Sequence, residues 1–135
     1  MQDDPNLLRP AIEEVLRFES PVARQPRLMK ADAELGGNSI RKGQVVFQML
    51  NAANRDPAHF ADPDRFDILR QNSRHIAFGH GIHFCVGALL ARTEGHIAIN
   101  SVMRRLPRIR LATDTPDWDV DRRNGRVLKT LPVLF

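Results

Sequence analysis

The sequence holds a single cysteine, Cys85, among its 135 residues, so no disulfide can form within the chain. It also lacks an apolar run of the roughly 20 residues that a membrane-spanning helix needs. Residues 1–5 are acidic and carry no hydrophobic stretch of the kind that a secretory signal requires. These absences favour a cytoplasmic protein that does not enter a membrane. They leave Cys85 as an inert residue, a nucleophile or a metal ligand.

Long runs of like charge are absent as well. The net charge is +4, but basic and acidic residues are mixed along most of the chain. The densest basic groups are Arg104, Arg105, Arg108 and Arg110 and, further on, Arg122, Arg123 and Arg126. We therefore expect no nucleic-acid partner, and a mildly basic face suited to an acidic protein. A basic domain that binds nucleic acid is the alternative, and it predicts strongly salt-dependent binding.

Hydrophobic spacing predicts two main helices joined by strands and a long loop. Residues 5–19 have apolar positions at helical spacing, with Pro5 in the first turn. Residues 22–50 and 108–135 predict short strands between turns, whereas residues 51–84 show no sustained periodicity. The second helix spans residues 86–106 and ends before Pro107; its apolar stripe comprises Val86, Leu89, Leu90, Ile97, Met103 and Leu106. The predicted fold is one α+β domain over residues 1–135, mainly helical.

Cys85 lies where the long loop meets the second helix. Free backbone N–H groups and the positive end of the helix dipole favour a thiolate at such a position. Two rings, Phe78 and Phe84, are placed to shield the sulfur from water. Three glycines permit tight turns and close approach of a flat group: Gly79, Gly81 and Gly87. This surrounding favours a thiolate that binds a redox-active metal.

Three other interpretations of Cys85 remain open at this point. A lone cysteine can be an inert residue that only packs. Structural zinc is a second possibility, because His75, His80 and His83 are ligand types, although their spacing does not match paired zinc ligands. A nucleophile of a hydrolase is the third, and no specific pattern supports it.

Four features, which occur in the family's order, resemble the cytochromes P-450, the haem-thiolate monooxygenases, and most closely their bacterial members. The first is the haem-binding loop F-x-x-G-x-[H/R]-x-C-x-G, which Phe78, Gly81, His83, Cys85 and Gly87 match. The resemblance implies that Cys85 is the axial ligand of the iron of haem b and that His83 contacts a haem propionate. The loop residues Phe78, Gly79 and Gly87 would complete this cofactor site.

The second feature is an E-x-x-R pair, Glu14 and Arg17, on the first helix. By itself such a pair is usually a solvated helix face worth about 0.2–0.5 kcal/mol. The resemblance implies that the pair is buried and held by a second arginine, Arg65 of the P-[ED]-R-F stretch. Guanidinium groups can make the bidentate contacts that this arrangement needs. The role implied is structural: it holds the loop that presents Cys85.

The third feature is the run Ala-Asn-Arg-Asp-Pro at residues 53–57, typical of bacterial members. The fourth is Arg27, at the place where the family has another arginine that binds a haem propionate. Arg24 competes with Arg27 for this role.

The resemblance implies monooxygenation of a small organic substrate, with electrons supplied by a ferredoxin or a flavoprotein. It covers roughly the last third of a family member, without the central helix that carries the acid–alcohol pair. One alternative is therefore a truncated fragment that is catalytically incompetent, and another is a haem carrier or sensor without turnover. An open apolar haem face also predicts exposed hydrophobic surface and self-association.

Overall fold

The computed structural model describes residues 4–119 and 127–135. Within them the chain forms an α+β arrangement with a long irregular loop, which confirms the predicted fold class. The predicted basic residues Arg122, Arg123 and Arg126 lie outside the described residues. Across the two described ranges, no helix is long and apolar enough to cross a membrane. The helices are α1 (Leu8–Phe18), α2 (Leu50–Ala53) and α3 (Ala88–Arg105).

Helix α1 begins after a short 3₁₀ turn, Pro5–Leu7. The Asp4 carboxylate accepts a hydrogen bond from the backbone N–H of Asn6 at 3.0 Å, which satisfies one of the free donors at a helix start. The face of α1 that turns inward contains apolar and charged residues at helical spacing: Leu8, Ala11, Ile12, Glu14 and Arg17. The prediction of a helix in this segment is confirmed, and its buried face carries an ion pair.

Short antiparallel strand pairs flank the helices. The hairpin turn at Gly36 and Gly37 has positive φ angles of 57° and 76°, which glycine adopts without a steric penalty. Arg27 lies on β1 opposite Val46 of β4. The pairs are β1 (Gln25–Leu28) with β4 (Val45–Gln48), β2 (Ala33–Leu35) with β3 (Asn38–Ile40), β5 (Arg110–Leu111) with β8 (Val133–Leu134), and β6 (Trp118–Asp119) with β7 (Val127–Leu128). These strands fall within the two segments predicted to form them.

Helix α3 packs on α1, and one close approach is made at a small residue of α3. Ala88 is buried, and a Cβ atom added to Gly95 would lie 3.9 Å from Cγ2 of Ile12. Most of the predicted apolar stripe is instead exposed, with Leu89 at 77% and Ile97 at 60%. Periodicity located the helix correctly, while the described residues leave much of its apolar side uncovered.

The charged pair on α1 anchors the long loop. Arg17 is 0% exposed, and its Nε and Nη2 atoms donate to the two carboxylate oxygens of Glu14 at 2.8 Å each. The Nη1 atom of Arg17 donates to the backbone carbonyls of Asn54 and Pro63 at 2.8 and 2.9 Å. Glu14 also accepts from the backbone N–H of Asp67 at 2.8 Å. The prediction of a buried, structural E-x-x-R pair agrees with this geometry.

The second arginine of this network is Arg70, which corrects the expectation for Arg65. The Nε atom of Arg70 lies 3.3 Å from both Glu14 oxygens, whereas Arg65 has an exposed side chain and contributes its carbonyl to Arg17 and Arg70. The Arg65 N–H closes a turn onto the carbonyl of Asp62, whose φ is +44°. That turn directs the carbonyl of Arg65, and not its guanidinium, towards the network.

The Ala-Asn-Arg-Asp-Pro run at residues 53–57 has a packing role that sequence reasoning did not identify. Asn54 is fully buried; its side chain donates to Ser20 Oγ and accepts from the backbone N–H of Ile76, both at 2.8 Å. Arg55 donates to the carbonyl of Phe18 at 2.8 Å. The run therefore ties α2 to the end of α1 and to residues 75–87, which we call the cysteine loop.

Replacing Arg70 and Arg65 separately distinguishes their roles. We expect Arg70→Ala to lower the free energy of unfolding by about 2–3 kcal/mol, because it removes a partner of buried Glu14 and leaves carbonyls unbonded. Arg65→Ala should change it by less than about 0.5 kcal/mol, since an exposed side chain is lost and the carbonyl remains. Urea unfolding measures both. An equal or larger loss in the Arg65 variant would contradict the assignment.

Candidate functional site

The loop before α3 is held in a turn that directs Cys85 outward. Gly79 and Gly81 adopt positive φ angles of 75° and 69°, which residues with a Cβ atom rarely adopt. The backbone N–H of Cys85 donates to the carbonyl of Phe78 at 2.9 Å, and its carbonyl accepts from the N–H of Ala88 at 3.1 Å. Cys85 therefore lies three residues before the first residue of α3, at the helix start, as expected.

The thiol is open on its outer side. Cys85 is free and exposed, and a Cβ atom added to Gly87 would come within 3.8 Å of its Sγ. The rings of Phe78 and Phe84 pack at 6.4 Å with an interplanar angle of 62°. They do not enclose the residue, since Phe84 itself is 53% exposed. The sulfur is accessible to a group that approaches from outside the described residues.

Two predicted site residues from distant parts of the chain line one cavity of about 330 Å³. Arg27 reaches it from β1 and His83 from the cysteine loop, together with Gly79 and His80. The Arg27 guanidinium donates to Gln25 Oε1 at 3.1 Å. Arg24, the competing candidate, is exposed and lies over the ring of Phe47 at 5.1 Å. The geometry groups Arg27, rather than Arg24, with His83.

A second charged cluster, which sequence reasoning missed, joins α1, the cysteine loop and α3. Glu13 accepts two hydrogen bonds from the Arg92 guanidinium, from Nε at 2.6 Å and from Nη2 at 2.9 Å. His75 Nε2 lies 3.0 Å from Glu13 Oε2, and His75 Nδ1 accepts from the backbone N–H of Ala77 at 3.1 Å. We call Glu13, His75 and Arg92 the Glu13 cluster. No local sequence pattern indicates it, because its members are 62 and 79 positions apart from Glu13.

This geometry removes the main support for the zinc interpretation. Both ring nitrogens of His75 are engaged, one with Glu13 and the other with Ala77. Within residues 4–119 and 127–135, no group of three or more histidine, cysteine, aspartate or glutamate side chains is placed to hold a metal ion. The remaining metal-binding candidate is Cys85 acting as a single protein ligand.

Charge and burial set the protonation of the Glu13 cluster. Hydrogen bonds from Arg92 lower the pKa of Glu13 below its ordinary value, although burial opposes this. Burial lowers the pKa of His75, against the opposing effect of its hydrogen bond to Glu13. The cluster is therefore a carboxylate, a neutral imidazole and a guanidinium at neutral pH.

The depressed pKa of His75 predicts a loss of stability in mild acid. Between the native pKa and the ordinary value of 6.5 the unfolded chain binds more protons at this residue, so the free energy of unfolding falls as pH falls through that window. His75→Gln should flatten this part of the profile, which urea unfolding at a series of pH values measures. The same change at exposed His96 should not. An unchanged slope in the His75 variant would exclude this residue as the cause.

Comparison with known proteins gives a consistent result along the whole chain. The family model of cytochrome P450 matches residues 2–135. Cytochrome P450 107B1 of Saccharopolyspora erythraea is 51% identical over 118 residues, which is 87% of this chain and 29% of that protein. The biotin biosynthesis cytochrome P450 of Bacillus subtilis is 43% identical over 136 residues, which is 100% of this chain and 34% of that protein.

Solved structures give the same fold. P450BioI, in complex with acyl carrier protein ligated to hexadec-9Z-enoic acid, superimposes with a TM-score of 0.91 at 43% identity, covering 99% of this chain and 35% of that one. The tirandamycin C-bound monooxygenase TamI superimposes with a TM-score of 0.92 at 41% identity, covering 98% of this chain and 34% of that one. The chain thus spans about a third of the length of the curated relatives it matches. It belongs to the cytochrome P450 family.

Proposed function

We propose that this chain is the haem-binding part of a cytochrome P450 monooxygenase and that Cys85 is the axial ligand of the haem iron. The observation that carries the proposal is the exposed Cys85 thiol at the start of α3, on a loop whose backbone is fixed to Phe78. The position of the thiol near the positive end of the α3 dipole favours the thiolate that such a ligand requires.

The residues present fit a haem in three respects. The Cys85 sulfur is open to a large flat group, and Gly87 adds no side chain beside it. Arg27 and His83 line one cavity and can donate to the two propionates, where charge-assisted hydrogen bonds are strong. Phe78 and Gly79 complete the loop. The cofactor proposed is haem b, as the family resemblance implies.

When bound, a haem with a thiolate ligand supplies the chemistry of oxygen activation, because the ligand pushes electron density towards the iron and favours O–O cleavage. The chain's own contribution is positioning. The Cys85 N–H and carbonyl are both bonded, which limits the rotation of this residue. Arg27 and His83 would hold the cofactor by its carboxylates.

The substrate class is proposed only as a small organic molecule. P450BioI is described with an acyl chain on its carrier protein, and TamI with tirandamycin C, although this chain resembles the two about equally. Similarity of this part therefore does not select a substrate. A ferredoxin or a flavoprotein is the proposed electron donor, and the cytoplasm is the proposed location.

A haem-binding module without turnover is the second candidate, and the exposed apolar side of α3 favours it. Leu89 and Leu90 are 77% and 61% exposed, and the Cys85 thiol is open to water. A site that admits water loses much of the electrostatic control that oxygen chemistry needs. Under this candidate the 135 residues bind haem, and turnover needs further polypeptide supplied in cis or in trans.

The absorption spectrum of the haem-reconstituted, reduced protein under carbon monoxide tests the axial ligand. We expect a strongly red-shifted Soret band, because a thiolate ligand would donate more charge to the iron than an imidazole does. Cys85→Ala should abolish the shift. An imidazole-like band in the parent protein, or no haem uptake, would contradict the proposal that Cys85 is the axial ligand. Consumption of reductant without product in a protein that shows the shifted band would favour the module without turnover.

Haem retention tests the propionate contacts. Arg27→Ala should speed the loss of haem to an acceptor protein by at least about tenfold, since a hydrogen bond to a charged group is worth about 1.5–3 kcal/mol. Arg24→Ala is the matched control, an arginine three positions earlier that does not line the cavity. If the two variants lose haem at the same rate, the assignment of Arg27 fails.

A further inference from the structure

The Glu13 cluster is a charged group outside the proposed cofactor contacts, and it joins α1 and α3 to the cysteine loop. Glu13 Oε2 accepts from both Arg92 Nη2 and His75 Nε2, at 2.9 and 3.0 Å, so one oxygen links α3 to the loop. The side chain of His75 is 2% exposed and that of Glu13 is 19% exposed. The Arg92 side chain is 34% exposed. His75 and Glu13, which are better shielded from water, fix each other's orientation more firmly than a surface pair does.

His75 has one protonation state that satisfies its contacts. Its Nδ1 atom accepts from the N–H of Ala77, so the ring proton must be on Nε2, where it donates to Glu13. A proton on Nδ1 would face the N–H of Ala77. The imidazole thus bridges a carboxylate on α1 and the backbone immediately before Phe78, and it holds that backbone in a fixed direction.

Arg92 acts on the same residue from the side of α3. Its guanidinium, oriented by the bidentate contact with Glu13, lies 4.6 Å from the ring centre of Phe78, within the range of a cation–π contact. The carbonyl of Phe78 then accepts from the N–H of Cys85 at 2.9 Å. A continuous series of contacts therefore runs from Glu13 through Phe78 to the backbone of Cys85.

We propose that Glu13, His75 and Arg92 are positioning residues that set the orientation of Cys85 through Phe78. The inference rests on the proposed function in so far as the Cys85 sulfur is the atom to be positioned. The effect on the loop itself does not depend on haem. The cluster touches neither Cys85 nor the cavity lined by Arg27 and His83.

Four substitutions separate positioning from general stability. His75→Phe keeps a ring but removes both hydrogen bonds. His75→Gln keeps an N–H donor that can reach Glu13, whereas His75→Asn keeps an acceptor near the N–H of Ala77 and loses the link to Glu13. Arg92→Lys keeps the charge and loses both the two-point contact and the planar group over Phe78. His96→Phe and Arg105→Lys, at exposed positions on α3, are the matched controls.

Amide hydrogen exchange of the haem-free chain gives the first measurement. The N–H of Cys85 reports the loop, and the N–H of Asp67, bonded to Glu14 at 2.8 Å, reports the rest of the loop network. We expect Cys85 exchange to rise at least about tenfold in His75→Phe and Arg92→Lys with little change at Asp67, because local opening is selectively favoured. Equal acceleration at both amides, or none at Cys85, would overturn the inference and leave only a role in stability.

The carbon monoxide spectrum of the haem-loaded chain gives the second measurement. The fraction of haem with the thiolate-type band should fall at least about twofold in His75→Phe, His75→Asn and Arg92→Lys, and should return towards the parent value in His75→Gln. Both controls should match the parent. If the parent chain lacks this band, the proposed function is wrong. The exchange data would still show whether the Glu13 cluster orients the backbone of Cys85. A parent with the band and variants that fully retain it defeat the inference alone.

Discussion

The buried guanidinium of Arg17 imposes the constraint on which the rest of the chain depends. A charge at 0% exposure is tolerated only if it is paired and all of its N–H groups are bonded. Glu14 supplies the opposite charge, but its two oxygens cannot satisfy every donor of Arg17. The loop supplies the remaining acceptors as backbone carbonyls of Asn54, Pro63 and Arg65. The loop therefore follows a path that brings its carbonyls within hydrogen-bond distance of this ion pair.

This arrangement explains how residues 54–84 hold a fixed shape with little regular secondary structure. Backbone groups that a helix or sheet would bond internally are here bonded by side chains: Arg17 and Arg70 take carbonyls, and Asn54 takes the N–H of Ile76. No buried side-chain nitrogen or oxygen among the described residues lacks a partner. The apolar core is small. Hydrogen bonds and ion pairs, rather than apolar packing, therefore hold much of this loop in place.

The parts of the fold that could be predicted are those encoded locally. Helical spacing and flanking prolines located both main helices, and residues 22–50 were predicted to form short strands between turns. The choice of Arg70 over Arg65 could not be predicted, because it depends on the turn at Asp62. The Glu13 cluster was hidden because its members lie far apart along the chain. Periodicity also showed that α3 has an apolar side without showing what covers it.

The proposed haem-thiolate site has two requirements, which are orientation of the ligand and exclusion of water. Orientation of the ligand comes from inside, where α1 and α3 hold Phe78 and Phe78 holds Cys85. Exclusion of water is not provided by the described residues, which leave Cys85 and Leu89 exposed. A loop that is oriented before the cofactor arrives loses less conformational entropy on binding it, which favours haem capture. In the proposed site, orienting the ligand does not by itself exclude water, so the two requirements depend on different residues.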